Sequence, residues 1–152
     1  MYITTHELVA VFSQKTLIQL SNDDYQATDV DFVVLEQAIK TACERIDAAL
    51  RGRYRLPLAE VPTVLHSHCL YLARHWLYAR RPEMKIPETV EKTYQQTIKE
   101  LEQIAQGKLH LGIAGFDDAP SANGQRDQYG DVLKDSGEYR VRAKEKLNTD
   151  GY

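Results

Sequence analysis

The stretch Asp31-Phe32-Val33-Val34-Leu35-Glu36-Gln37-Ala38-Ile39-Lys40-Thr41-Ala42-Cys43-Glu44-Arg45-Ile46-Asp47-Ala48-Ala49-Leu50-Arg51 decides the fold class. Its apolar residues Leu35, Ala38, Ile39, Ala42, Cys43, Ile46, Ala49 and Leu50 recur at steps of three and four. On a helical period they line up as one continuous stripe, with the charged residues turned away from it. At 1.5 Å per residue such a rod is about 30 Å long. Thr28 or Asp29 can cap its start, and Gly52 can end it in a left-handed conformation. A one-sided stripe of this length must be covered by other elements, and the neighbouring sequence supplies helices rather than strands.

Before it, Thr4-x-x-Glu7 has the form of a capping box, followed by Leu8, Val9 and Phe12, and this predicts a short first helix. Segment 13–30 carries the apolar patch Leu17-Ile18-x-Leu20, enough for a short turn against the bundle. After it, Pro62 suits the first turn of a helix whose stripe is Leu65, Cys69, Leu72, Ala73, Trp76 and Leu77, and Pro82 stops that helix. A last helix runs from Pro87 to about Gln106, with Val90, Tyr94, Ile98, Leu101, Ile104 and Ala105 on its face. Glu88 and Glu91 favour its N-terminus and Gly107 closes it. The expected fold is all-α: a small antiparallel bundle of about four helices over residues 1–107.

Composition changes near Gly107. Residues 108–152 are rich in Gly, Asp, Ser and Asn, with turn pairs at Asn123-Gly124, Tyr129-Gly130 and Ser136-Gly137. Their apolar residues are too sparse to offset the conformational entropy of ordering the segment as a core of its own. Leu109, Leu111 and Ile113 alternate, so the first few residues can lie on the bundle as an extended strand. The remainder is expected to be an irregular arm, ordered by another chain.

The whole chain has 152 residues, with 19 Lys plus Arg against 22 Asp plus Glu. A net charge of −3 argues against a bare phosphate backbone as the main partner. No apolar run reaches the roughly 20 residues of a membrane span. Met1-Tyr2-Ile3-Thr4-Thr5 lacks the basic segment and apolar run of a secretory signal. The two Cys suit a reducing compartment as unpaired buried thiols. These features read as a soluble intracellular protein.

Reactive constellations are hard to find. His66-Ser67-His68-Cys69 and His75 tempt a zinc reading. Residues two apart on a helix, however, point about 200° apart, so His66 and His68 cannot share a metal within one turn. Cys43 and Cys69 sit at stripe positions, where a thiol is desolvated and inert. No phosphate-binding glycine loop is present. The Asp117-Asp118 pair and Asp127/Asp131 lack the rest of a calcium-loop pattern. The chain is therefore read as a non-enzyme without a cofactor.

Arg51-Gly52-Arg53-Tyr54-Arg55-Leu56-Pro57-Leu58 is the most informative loop. Arg and Tyr dominate binding hot spots, because a planar fork and an amphipathic ring combine contact area with hydrogen bonding. An alternative, compatible with the first, is a connector in which Tyr54, Leu56 and Leu58 plug the end of the bundle. Arg74, Arg80, Arg81 and Lys85 form a second basic patch. A cytoplasmic helical regulator or nucleic-acid binder using Arg51, Arg53, Arg55, Arg74, Arg80 and Arg81 is the rival reading.

Several segments together resemble one family. They are Tyr2-Ile3-Thr4 with Glu7-Leu8, Gln19-Leu20-Ser21 before an Asp-rich stretch, and Ala42-x-x-x-Ile46-Asp47-x-x-Leu50-Arg51-Gly52-Arg53-Tyr54-x-Leu56-Pro57-Leu58. Pro62-x-x-Leu65, Leu72-Ala73-x-x-Trp76-Leu77, Tyr94, Leu101 and Ile104-Ala105-x-Gly107-Lys108 complete the pattern. The chain thus resembles, over about residues 1–110, a family of small proteins from Mu-like phages and prophages. That family is grouped with the helical head–tail connector, or adaptor, proteins. The resemblance implies a virion structural protein at the head–tail junction, assembled in the host cytoplasm, with the portal protein and a tail-completion protein as partners. It also implies a homo-oligomeric ring of about a dozen copies and no membrane; in such a ring the second basic patch could face either a neighbouring subunit's acids or packaged DNA in the channel. The residues expected at interfaces are Arg51, Arg53, Tyr54, Arg55, Arg80 and Arg81 from the body. From the arm they are Phe116, Tyr129, Tyr139, Arg140 and Arg142.

Overall fold

In a computed structural model of the chain, whose described residues are 1–113 and 115, the decisive stretch is helix α3, Phe32–Leu50. Its cap is Asp31, whose carboxylate accepts from the backbone N–H of Val33 at 2.9 Å and of Val34 at 3.3 Å. Thr28 and Asp29 therefore do not cap it. The chain before the helix is held instead by Asn22, whose side-chain amide donates to the Asp29 carbonyl, and by Ser21, whose hydroxyl accepts from the Asp31 N–H. Gly52 is not left-handed either. The helix closes with Arg51 still in the right-handed region, and the Arg53 and Tyr54 N–H groups both donate to the Leu50 carbonyl.

Four more helices surround it: α1 Thr5–Val11, α2 Gln14–Ser21, α4 Thr63–Ala79 and α5 Glu88–Ala105. Among the described residues there is no strand. The Thr4–Glu7 capping box forms reciprocally at α1. In α2 the patch expected to give only a turn makes a full two-turn helix that buries Leu17 and Leu20. Pro62 and Pro87 occupy N-cap positions, one residue before the helices they introduce. Gly107 ends α5 at φ +72°, the left-handed stop expected there.

The direction of the long helices follows from their cross-contacts. His68 and His75 of α4 meet Glu100 and Glu91 of α5, so the position on α5 falls as that on α4 rises, and the two run antiparallel. Arg45 of α3 lies over Tyr94 of α5, and the turns after α3 and α5 meet through Tyr54 and Leu111, so those two are parallel. The core runs continuously from Ile3 to Ile104 and includes Leu8, Leu17, Leu35, Ile39, Ile46, Leu65, Leu77 and Val90. Helix α4 buries more than its sequence stripe: His68, Leu70 and Tyr78 are also interior, while Trp76 is only partly so. It packs against α2, α3 and α5 together, so more than one face is covered.

Residues 108–113 do not form the strand suggested by alternation. Leu111 and Ile113 pack against the core in irregular chain, with Gly112 at φ +73°. The expected arm beyond them, with Phe116, Tyr129, Tyr139, Arg140 and Arg142, lies outside the described residues.

Candidate functional site

At the end of the bundle where α3 finishes, the turn from Arg51 to Leu58 is fixed from inside. Tyr54 is 1% exposed, and its hydroxyl accepts the Leu111 N–H at 3.2 Å. The tyrosine is thus a core residue that staples the turn to the chain leaving α5. Leu56 and Leu58 pack beside it. Arg53 is half-buried, with its guanidinium against Gly107. A Cβ on that glycine would stand only 2.3 Å from Nη1, so a larger residue there has to shift the guanidinium. The position also places a cation at the negative end of α5. Arg51 and Arg55 remain exposed. A groove lined by Arg55, Pro57, Leu58, Glu60, Gly112 and Ile113 runs between this turn and the chain that follows α5.

The second basic patch has a different character. Asp23, in the loop after α2, lies 2.8 Å from Arg80 and 3.1 Å from Arg81. Arg80 also donates to the Leu20 and Ser21 carbonyls at the end of α2. Arg81 is only 8% exposed. Its Nε stands 2.9 Å from a Glu83 carboxylate oxygen, an ion-pair contact off the hydrogen-bond direction, and its guanidinium lies over Tyr25. Arg74 covers the Phe12 ring. This cluster latches α1, α2 and the loop after it to α4, with its charge largely answered by Asp23 and Glu83. Because α3 and α4 are antiparallel, Arg51, Arg53 and Arg55 sit at the opposite end of the bundle from Arg80 and Arg81. The six arginines do not make one cationic surface.

The histidines of α4 diverge, each toward a carboxylate on another element. His66 meets Glu7 at 3.3 Å, His68 meets Glu100 at 3.3 Å, and His75 meets Glu91 at 3.4 Å while stacking on Tyr94. His68 is 3% exposed, and neither ring nitrogen has a well-directed hydrogen bond. Burial holds its pKa below the ordinary imidazole value, opposed by Glu100. Among the described residues no three His, Cys, Asp or Glu side chains gather as a metal site. Nor is any helix among them long and apolar enough to cross a membrane. Sequence reasoning missed the buried pairing of Tyr54 with Leu111, and nothing in the spacing of two residues so far apart signals it.

Comparison with known proteins agrees with the motif pattern. The family described as Bacteriophage Mu, Gp36 matches residues 2–128. The chain is similar to "Mu-like prophage FluMu protein gp36" of Haemophilus influenzae, 34% identical over 125 residues, which cover 82% of this chain and 85% of that protein. It is also similar to "Gene product J" of Escherichia phage Mu, 33% identical over 112 residues, or 74% of this chain and 77% of the relative. The match takes in the whole helical body, including the Arg51–Leu58 turn, and the chain belongs to the phage Mu Gp36 family.

Proposed function

We propose that this phage protein is a head–tail connector, copies of which form a closed ring beneath the portal and offer the tail-completion protein its docking surface. The observation that carries the reading is the Arg51–Leu58 turn. It exposes Arg51 and Arg55 on a backbone pinned by buried Tyr54 and by Arg53 against Gly107. A backbone fixed in this way needs no further ordering on binding, which suits the turn to an interface. Membership in a family of Mu-like phage and prophage proteins supports the virion setting. The separation of the two arginine clusters favours protein neighbours over a nucleic-acid surface as the principal partner. A head-to-tail contact between identical subunits closes into a ring when its rotation divides a full turn. Phe116, Tyr129, Tyr139, Arg140 and Arg142 then serve as contacts to the portal or to a neighbouring copy.

The test is the double substitution Arg51→Glu with Arg55→Glu. Both side chains are exposed, so the variant keeps the helicity of the wild type, with an unfolding midpoint lowered only slightly by the new acid at the C-terminus of α3. Complementation of a phage lacking the gene then yields filled heads without tails. Full recovery of infectious particles by the variant contradicts the proposal. Salt-dependent DNA affinity of the isolated wild type, lost in the same variant, favours the nucleic-acid reading instead.

A further inference from the structure

The chain has two cysteines, and the fold brings both to one place. Cys43 on α3 and Cys69 on α4 put their Sγ atoms 3.6 Å apart. Cys43 is 8% exposed and Cys69 0%. We propose that these two thiols are a site of oxidative cross-linking, closing to an intramolecular disulfide when the protein meets a peroxide. The bond would clasp α3 to α4 and close the loop 43–69, which contains the turn that exposes Arg51 and Arg55. The inference stands whether or not the chain is a connector.

The two sulfurs are not equivalent. In the contact between the two thiols either sulfur can donate, while the Tyr2 backbone N–H lowers the pKa of Cys43 alone. Cys43, at the edge of the core, is the thiol whose pKa is lowered, whereas complete burial raises that of Cys69. Cys43 also lines a surface groove of about 710 Å³ beside Met1, together with Glu36, Lys40 and Glu44. A small oxidant therefore reaches the more reactive sulfur first. The Cys43 thiolate attacks one peroxide oxygen, the O–O bond breaks, and hydroxide leaves with the former thiol proton as water. The resulting sulfenic acid is attacked by the Cys69 sulfur, the S–O bond breaks, and a second water leaves with the Cys69 proton. Two thiols are oxidised, one hydrogen peroxide is reduced, and the sulfurs move from contact to a bond of about 2.05 Å.

The test treats the reduced full-length protein with hydrogen peroxide under native conditions, then alkylates it in denaturant and measures intact mass. The expected product is a monomer lighter by about 2 Da, carrying no alkyl group and restored by dithiothreitol. Its thermal midpoint rises by roughly 10 °C, because the closed loop restricts the unfolded chain. In Cys69→Ser, where the resolving thiol is gone, Cys43 gains about 32 Da as sulfinic acid instead. Two alkylated thiols after treatment, a wild type that gains about 32 Da, or a disulfide-linked dimer each overturn the proposal. The wild-type result decides even where the serine variant fails to fold.

Discussion

His68 shows how one residue couples burial to pH. An imidazole ordinarily titrates near 6.5, and burial holds the folded-state value below that. Between those two values the unfolded chain binds a proton that the folded chain does not. Stability is therefore full above the ordinary value and falls as pH drops through the window. Urea unfolding at pH 7.5 and pH 5.5 should show the wild type losing more stability on acidification than His68→Gln, which has no ring to protonate. Gly107 carries a different residue-scale demand: φ is +72°, and the Arg53 guanidinium occupies the space of a Cβ. Gly107→Ala should cost about 1–2 kcal/mol from the left-handed conformation alone, with further loss where Arg53 is displaced, read as a lower denaturant midpoint at unchanged slope.

At the scale of elements, what the sequence made legible is what periodicity and capping chemistry govern. The α3 stripe, the Thr4–Glu7 box and the Gly107 stop are local patterns, and each appears in the structure where its residues place it. The α3 cap was not legible between Thr28, Asp29 and Asp31, because the choice depends on Asn22 and Ser21 holding the preceding chain from α2. Helix α2 is legible only as a turn, because its apolar residues span too little sequence to establish a period. The Arg80–Arg81 cluster reads as a basic patch until Asp23, 58 residues from Arg81, comes to meet it. That latch gives a prediction. Asp23→Ala should lower stability by about 1 kcal/mol, since its carboxylate is largely exposed. Amide exchange should accelerate in α2 and its following loop more than in α3 or α5.

For the molecule as a whole, the antiparallel arrangement of α3 and α4 separates two arginine groups that look equivalent in sequence. One group is spent within the fold, on Asp23, Glu83 and the carbonyls ending α2. The other projects Arg51 and Arg55 from an end stapled by Tyr54. Family membership was legible because the Arg-Gly-Arg-Tyr-x-Leu-Pro-Leu segment is distinctive where amphipathic helices are generic. The interior role of Tyr54 was legible only as one of two readings, since the same residue suits a hot spot and a core plug.

The most direct measurement is cryo-electron microscopy of purified particles of the phage or induced prophage that encodes this chain. The connector account predicts a closed ring of copies of this helical body between portal and tail, with Arg51 and Arg55 buried against a protein neighbour. Infectious particles whose head–tail junction contains no copy of the chain contradict it.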